Sequence, residues 1–295
     1  MNPNTDSFDI RLVRVFPAGA GGGNPAPIAL SADGMSEAQM RAVAQRYGHE
    51  SGFVFKATRP GADLHMRYFV PEHEMEMCGH ATVGALWLLR KSGRWDGKRI
   101  AIETASGQVY GQASGAGTQE EAIAITQPAG RVEAITDKVL LARIAQVLRV
   151  DAADLLPLPV LNAATSRVKT LIGLRSVAAL DALRPDFSGM RDLCEAIGST
   201  GLYPFAASAR EERTFHARQF PKSSGYPEDA ATGIAAAALL FGLRACELVS
   251  ADGDTVNVRQ GEAMGAPSLI RVRFDIDSAG AIQGCLVGGN VAEDA

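Results

Sequence analysis

Carboxylates, imidazoles and a thiol crowd one stretch of the chain. Residues 66–89 read M-R-Y-F-V-P-E-H-E-M-E-M-C-G-H-A-T-V-G-A-L-W-L-L. The stretch opens with strand-like alternation, breaks at Pro71, and collects Glu72, His73, Glu74 and Glu76 before passing through Cys78-Gly79-His80. From Ala81 the residues are small or apolar, with no charge before Arg90. That spacing predicts a buried helix whose first turn is Gly79-His80-Ala81-Thr82. Gly79 lets a ligand approach the backbone closely, and the N–H groups at a helix start bind carboxylate or phosphate oxygens. A polar loop feeding an apolar helix suggests a site rather than packing alone.

The design recurs. Arg218-Gln219-Phe220-Pro221 leads through Gly225-Tyr226-Pro227-Glu228-Asp229 into Ala230-Ala231-Thr232-Gly233-Ile234-Ala235 and more Ala and Leu. Both stretches share an Arg-x-Phe approach, a proline-containing acidic loop, an Ala-Thr pair, a Gly and an Ala/Leu helix. Thr82 and Thr232 are 150 positions apart in 295 residues, the period of an internally duplicated fold. Two such helix starts facing each other across a pseudo-twofold axis would enclose an anion-friendly cleft.

A further acid stands at the mouth of a strand. Ser36-Glu37-Ala38-Gln39 reads as the cap and first turn of a helix reaching about Tyr47. After Gly48 comes His49-Glu50-Ser51-Gly52-Phe53-Val54-Phe55. On residue type alone Glu50 is a solvated loop carboxylate, and its standing rises only if other groups point at it.

These elements sit in an ordinary globular composition, 46% apolar and 21% charged, long enough for two domains. A net charge of −4 and no basic cluster longer than Arg90-Lys91 argue against phosphate-driven nucleic-acid binding and membrane-surface binding. No apolar run reaches transmembrane length, and the polar residues 1–6 lack the regions of a signal peptide. Cys78, Cys194, Cys246 and Cys285 lie far apart without a C-x-x-C, so they read as reduced thiols of a cytoplasmic protein. No metal is expected, because the five histidines lack ligand spacing.

Along the chain, residues 8–16 alternate as a strand and the glycine-rich residues 18–25 turn into a second strand at 26–30. That loop is neither a P-loop nor a dinucleotide fingerprint, since a strand follows where a helix should. Strands are expected at 99–107, 108–112 and 122–127, with a polar turn at 115–121. Residues 127–130 read as the end of the first domain, giving domains 1–128 and 129–295, with the C-terminal strand able to pack with the first. In the second half an amphipathic helix is expected at 137–150, strands at 156–161 and 167–174, and helices at 177–183 and 190–197. Strands follow at 202–207 and 214–220, and after the second Ala-rich helix at 254–261 and 268–276.

Taken together, these residues resemble the phenazine-biosynthesis PhzF-like isomerase family, itself related in fold to diaminopimelate epimerase. The matching motifs are Gly23-Asn24-Pro25, Glu50 before Phe53-Val54, R-Y-F-V-P with C-G-H-A-T-V-G-A, Glu103-Thr104 with Gly107, and Gln127-Pro128. Further along are E-D-A-A-T-G-I-A at 228–235 and Gln260-Gly261 leading to Gly265-Ala266-Pro267-Ser268.

The resemblance implies an α+β fold of two pseudo-symmetric domains, each a curved, mainly antiparallel sheet wrapped around a central helix. It implies an active site between the domains and a cofactor-independent isomerase or epimerase, usually a homodimer in a biosynthetic process, acting on a small carboxylic acid. Glu50 maps to the proton shuttle. Gly79, His80, Asp229, Thr232 and Gly233 map to substrate binding. The chemistry fits: desolvation in a closing cleft raises a Glu towards neutral pKa, and helix starts stabilise developing enolate-like charge.

The chain departs from the family at Ile234, where a hydroxyl is common, at His49 before the Glu, and at Ala266, where Arg is frequent. The bland alternative is a non-catalytic binding or scaffold member. Cys78 reads as a small core residue, because no cysteine near Asp229 completes a thiol pair. Asp229 is compatible with a helix N-cap worth about 1 kcal/mol. Glu72, His73, Glu74 and Glu76 read as solvated, Glu74 being the best placed for more.

Overall fold

The computed structural model describes residues 8–114, 122–223 and 225–294, so the turn expected at 115–121 and the polar residues 1–6 lie outside the described residues. The chain divides into two compact units. One takes residues up to Pro17, Gly23–Thr126 and the segment from Gly288; the other takes Ala18–Gly22 and Gln127–Val287. The division falls inside two strands, Ala122–Pro128 and Ile282–Gly289.

In the first unit Val291–Glu293 pairs antiparallel with Ile10–Val15, which pairs antiparallel with Asn24–Ala29. The sheet continues parallel to Ser51–Lys56, antiparallel to Leu64–Phe69, parallel to Ile100–Thr104 and antiparallel to Gly107–Ser114. The second unit repeats that order of pairings. Arg131–Ala134, Leu161–Ala164 and Val168–Gly173 join antiparallel, then Gly201–Ala207 parallel, Thr214–Ala217 antiparallel, Val256–Gln260 parallel and Ser268–Ile276 antiparallel. The fold is α+β, sheet-dominated and mainly antiparallel.

Each sheet holds one apolar helix of 13 residues, Gly79–Lys91 in the first unit and Gly233–Ala245 in the second. The first is touched from both flanks of its sheet: it packs on Ile10–Val15, Asn24–Ala29 and Ser51–Lys56, while Leu86 lies against Gly111 and Gly79 against Ile125. A helix apolar on all sides needs such a wrap. Each fully buried leucine, such as Leu86 or Leu239, contributes about 1.5–3 kcal/mol.

Shorter helices cover the outer faces. Glu37–Tyr47 starts with the expected capping box, Ser36 accepting from Gln39 N while the Gln39 side chain accepts from Ser36 N. Its Met40, Val43 and Ala44 pack on Phe53 and Phe69. Lys138–Leu148, capped by Asp137, packs with Val177–Ala182 and Met190–Ala196 over Ile172, Leu202 and Phe220.

Three readings need correction. The strand expected at 156–161 is displaced to Leu161–Ala164, because Pro157 and Pro159 have no N–H for a ladder. The strand Ile282–Gly289 was not anticipated, since its glycines weaken the strand signal. Its Gly288 is required: a Cβ there would lie 2.3 Å from Ile123 O. The third concerns the repeat. The helices align on Gly79 and Gly233, 154 positions apart, with Arg90 and Arg244 at the same helical position. Thr82 is therefore the fourth residue of its helix while Thr232 precedes its own, and the 150-residue period misplaces the pair by one turn.

Candidate active site

In the first unit, Glu50 immediately precedes the strand Ser51–Lys56, and Cys78 precedes the helix Gly79–Lys91. Gly52 brings the two together. A Cβ at that position would lie 3.2 Å from Ala81 Cβ and 3.0 Å from Ile28 Cδ1, so any larger residue would make those neighbours yield where the helix start packs on the strand. Tyr68 then fixes the first turn. Thr82 donates to Cys78 O at 2.7 Å, so the fully buried Tyr68 hydroxyl donates to Thr82 Oγ1, also at 2.7 Å. Burial pushes the Tyr68 phenol well above its ordinary range, so it stays a hydroxyl.

The result is a triangle of proton-active atoms. Cys78 Sγ lies 3.2 Å from Glu50 Oε2 and 3.4 Å from His80 Nδ1, and His80 Nδ1 lies 3.5 Å from Glu50 Oε2. The Glu50 side chain keeps 28% of its exposure while His80 keeps 8%. One carboxylate edge thus reaches solvent or a ligand and the other groups stand behind it. Among the described residues these three side chains form the group of His, Cys, Asp or Glu close enough to share a metal ion. The sequence marks Cys78 as a core residue and it does sit in the core, where it also touches Glu50, a contact its residue type does not announce. The available signal was Gly52, two residues after the acid.

Burial pushes Cys194 up to about 11 and Cys285 up to about 12, holding both as inert thiols.

The acidic loop before Cys78 is structural. Arg67 holds Glu74 through two 2.7 Å hydrogen bonds and reaches Glu37 at 2.9 Å, while Glu72, His73 and Glu76 are exposed. Glu103 is also an anchor. Burial raises its carboxyl, but hydrogen bonds from Thr58 Oγ1 and the Thr58 and Arg59 amides outweigh that and hold it below the usual range.

In the second unit, Asp229, Thr232 and Gly233 come together at the start of the helix Gly233–Ala245. Asp229 is not the N-cap; Thr232 is, and its hydroxyl donates to Asp229 Oδ2 instead of capping the helix. Gln260 clamps this corner, donating to Asp229 O at 2.7 Å and Thr232 Oγ1 at 3.1 Å. Tyr203 donates to Gln260 Oε1 at 2.8 Å. Arg218, with Glu228 at 2.7 and 2.8 Å, closes the loop that precedes it. The second residue of this helix is Ile234, where the first has His80.

Residues 13–293 match the model of a family described as phenazine biosynthesis-like protein, PhzC-PhzF. This chain belongs to that family. It is 30% identical over 272 residues to the uncharacterized isomerase YddE of Escherichia coli K12, covering 86% of each chain. It is 29% identical over 249 residues to the trans-2,3-dihydro-3-hydroxyanthranilate isomerase of Pseudomonas fluorescens, covering 84% of each. The crystal structure of a PhzF-family phenazine biosynthesis protein from Bacillus anthracis superposes with a TM-score of 0.86 at 24% identity, over 98% of this chain and 97% of that one. By reaction class this protein is an isomerase. Among the described residues no helix is long and apolar enough to cross a membrane.

Proposed function

We propose that this isomerase moves a proton on a small carboxylic acid, with Glu50 as the general acid/base. The observation that carries the reading is the partly exposed Glu50 carboxylate backed by Cys78 and His80 at the start of a buried helix. Glu50 takes a proton from the carbon next to the acid group. The C–H electron pair moves into the neighbouring π system, and the charge grows on oxygen. The same carboxyl returns the proton at another carbon, or at the other face, so atoms and charge balance.

Charge developing on the substrate carboxylate is stabilised at the helix start, where the first amides have no intrahelical acceptor. Gly79 keeps that backbone accessible and His80 adds an imidazole beside it. We propose both as substrate contacts. Asp229, Thr232 and Gly233 are the corresponding candidates at the start of the second helix. A general acid/base at one step is worth about 10²–10⁴-fold in rate.

The test is deuterium incorporation followed by NMR. Small amino and hydroxy acids and cyclic dienyl carboxylates, the last chosen after the substrate in the Pseudomonas relative's name, are incubated in D₂O with wild type and Glu50→Gln. Exchange by wild type that vanishes in the variant is the expected result. Exchange that persists in Glu50→Gln would remove Glu50 from the mechanism. No exchange with any compound would favour a binding protein on the same fold.

A further inference from the structure

The triangle Glu50 Oε2, Cys78 Sγ and His80 Nδ1 has the dimensions of a zinc half-site. A tetrahedral Zn²⁺ with bonds of about 2.3 Å to sulfur and 2.0–2.2 Å to nitrogen and oxygen sets its donors roughly 3.3–3.6 Å apart. Here the three edges are 3.2, 3.4 and 3.5 Å. A circle through three such points has a radius of about 1.9 Å, a little less than a zinc–ligand bond, so an ion sits just off the plane with its fourth position open. The exposed edge of Glu50 supplies the way in, and a water completes the shell.

The donor chemistry agrees. Thiolate, imidazole and carboxylate together select a borderline-soft divalent ion over Mg²⁺ or Ca²⁺, which take oxygen donors. The helix start opposes a cation with roughly half a positive charge. Two of the three donors are anionic once the thiol proton has been released to solvent, and that outweighs it. The frame is also preset: Gly52 fixes the helix against the strand, and the Tyr68–Thr82–Cys78 chain fixes the first turn.

The geometry points to a site for a thiophilic divalent cation of the Zn²⁺ class on Glu50, Cys78 and His80, whose occupancy withdraws Glu50 from proton transfer. The binding site stands on geometry alone; the inhibition rests on the Glu50 reading proposed above. Ion and substrate proton compete for the same carboxylate oxygen, so the metal acts as a reversible off-switch.

Full-length chain, stripped of metal, is titrated with Co²⁺ and the thiolate-to-cobalt charge-transfer absorption is followed, with Zn²⁺ as competitor. One ion per chain is expected, with proton release on binding. The band should disappear in Cys78→Ser, the affinity should fall at least ~tenfold in His80→Asn, and Cys285→Ser should bind as wild type. Far-UV circular dichroism checks that each variant is folded. No charge-transfer band in wild type, or a band that survives Cys78→Ser, overturns the site. Stoichiometric Zn²⁺ binding that leaves proton exchange untouched upholds the site and overturns the role given to Glu50, so the two failures are separable.

Discussion

The two central helices begin in the same frame and do different things with it. Each is 13 residues long, starts at a glycine, and is preceded by a cap residue whose side chain makes no capping bond. Before the first helix the side chains can exchange protons: a thiol, an imidazole and a carboxylate within 3.5 Å. Before the second, Thr232, Asp229, Gln260 and Tyr203 form a relay in which the amide and hydroxyls are held by protein partners. The strand positions tell the same story. Glu50 precedes Ser51–Lys56, whereas Thr200 precedes Gly201–Ala207 and spends its hydroxyl on Val168 O at 2.7 Å. On the function proposed above, the repeated frame serves proton transfer where its polar groups can still change protonation, and substrate contact where they are committed to one another.

The comparison breaks most sharply at Glu50. Glu50→Gln is expected to lower kcat/KM by at least ~100-fold while leaving the thermal midpoint within a few degrees of wild type. A variant that melts far earlier would make Glu50 a structural residue. Next comes Gly52→Val, which forces the helix start away from the strand. Overpacking of this kind costs about 1–3 kcal/mol, and the displaced His80 and Cys78 should cost activity in addition. Denaturant titration and turnover measured together check this, and full activity in a destabilised protein would separate the packing from the chemistry.

The stability side is sharpened by two tyrosines. Tyr203→Phe leaves the buried Gln260 carbonyl short of a donor and should cost about 1–3 kcal/mol. Tyr68→Phe leaves Thr82 still bonded to Cys78 O and should cost nearer 0.5–1.5 kcal/mol. Urea midpoints measure both; the reverse order would mean that the first helix is the one held by its hydrogen bonds.

The smallest expected effect is a pH dependence. The folded Glu103 carboxyl is held below its unfolded value, so its contribution is full above the unfolded pKa and fades as pH falls through the folded one. The gap in melting temperature between wild type and Glu103→Gln should therefore be widest near neutrality and narrow as the medium is acidified. A constant gap would mean that the carboxylate charge is not what anchors Thr58 and Arg59.

Much of this frame was legible because local signals and tertiary structure agreed. The capping box at Ser36, the charge-free run after His80 and the alternation of 268–276 each specify their element without help from the rest of the chain. Glu50 was legible as a candidate through the resemblance, not through its neighbours. What stayed hidden depends on close approach between distant segments. Cys78 meets Glu50 across 28 positions where Gly52 lets strand and helix start pack closely, and nothing periodic marks that. The 150-residue spacing was misread for a related reason. It holds for the strands beginning at Ser51 and Gly201 but slips by four residues at the helices, and a four-residue slip preserves the helical face.

The strand Val291–Glu293 completes the sheet of the first unit by lying beside Ile10–Val15, with Arg11 and Arg14 held by Glu293 and Asp294. A ribosome adding about 5–20 residues per second therefore leaves that edge without its partner for roughly a quarter of a minute to a minute. The unit made first is finished last. Through that interval the nascent chain carries an open strand edge, a template for pairing with a neighbouring copy. Transplanting residues 288–294 to precede Ile10 would remove the delay, turning the slowest contact of the fold into one of its earliest.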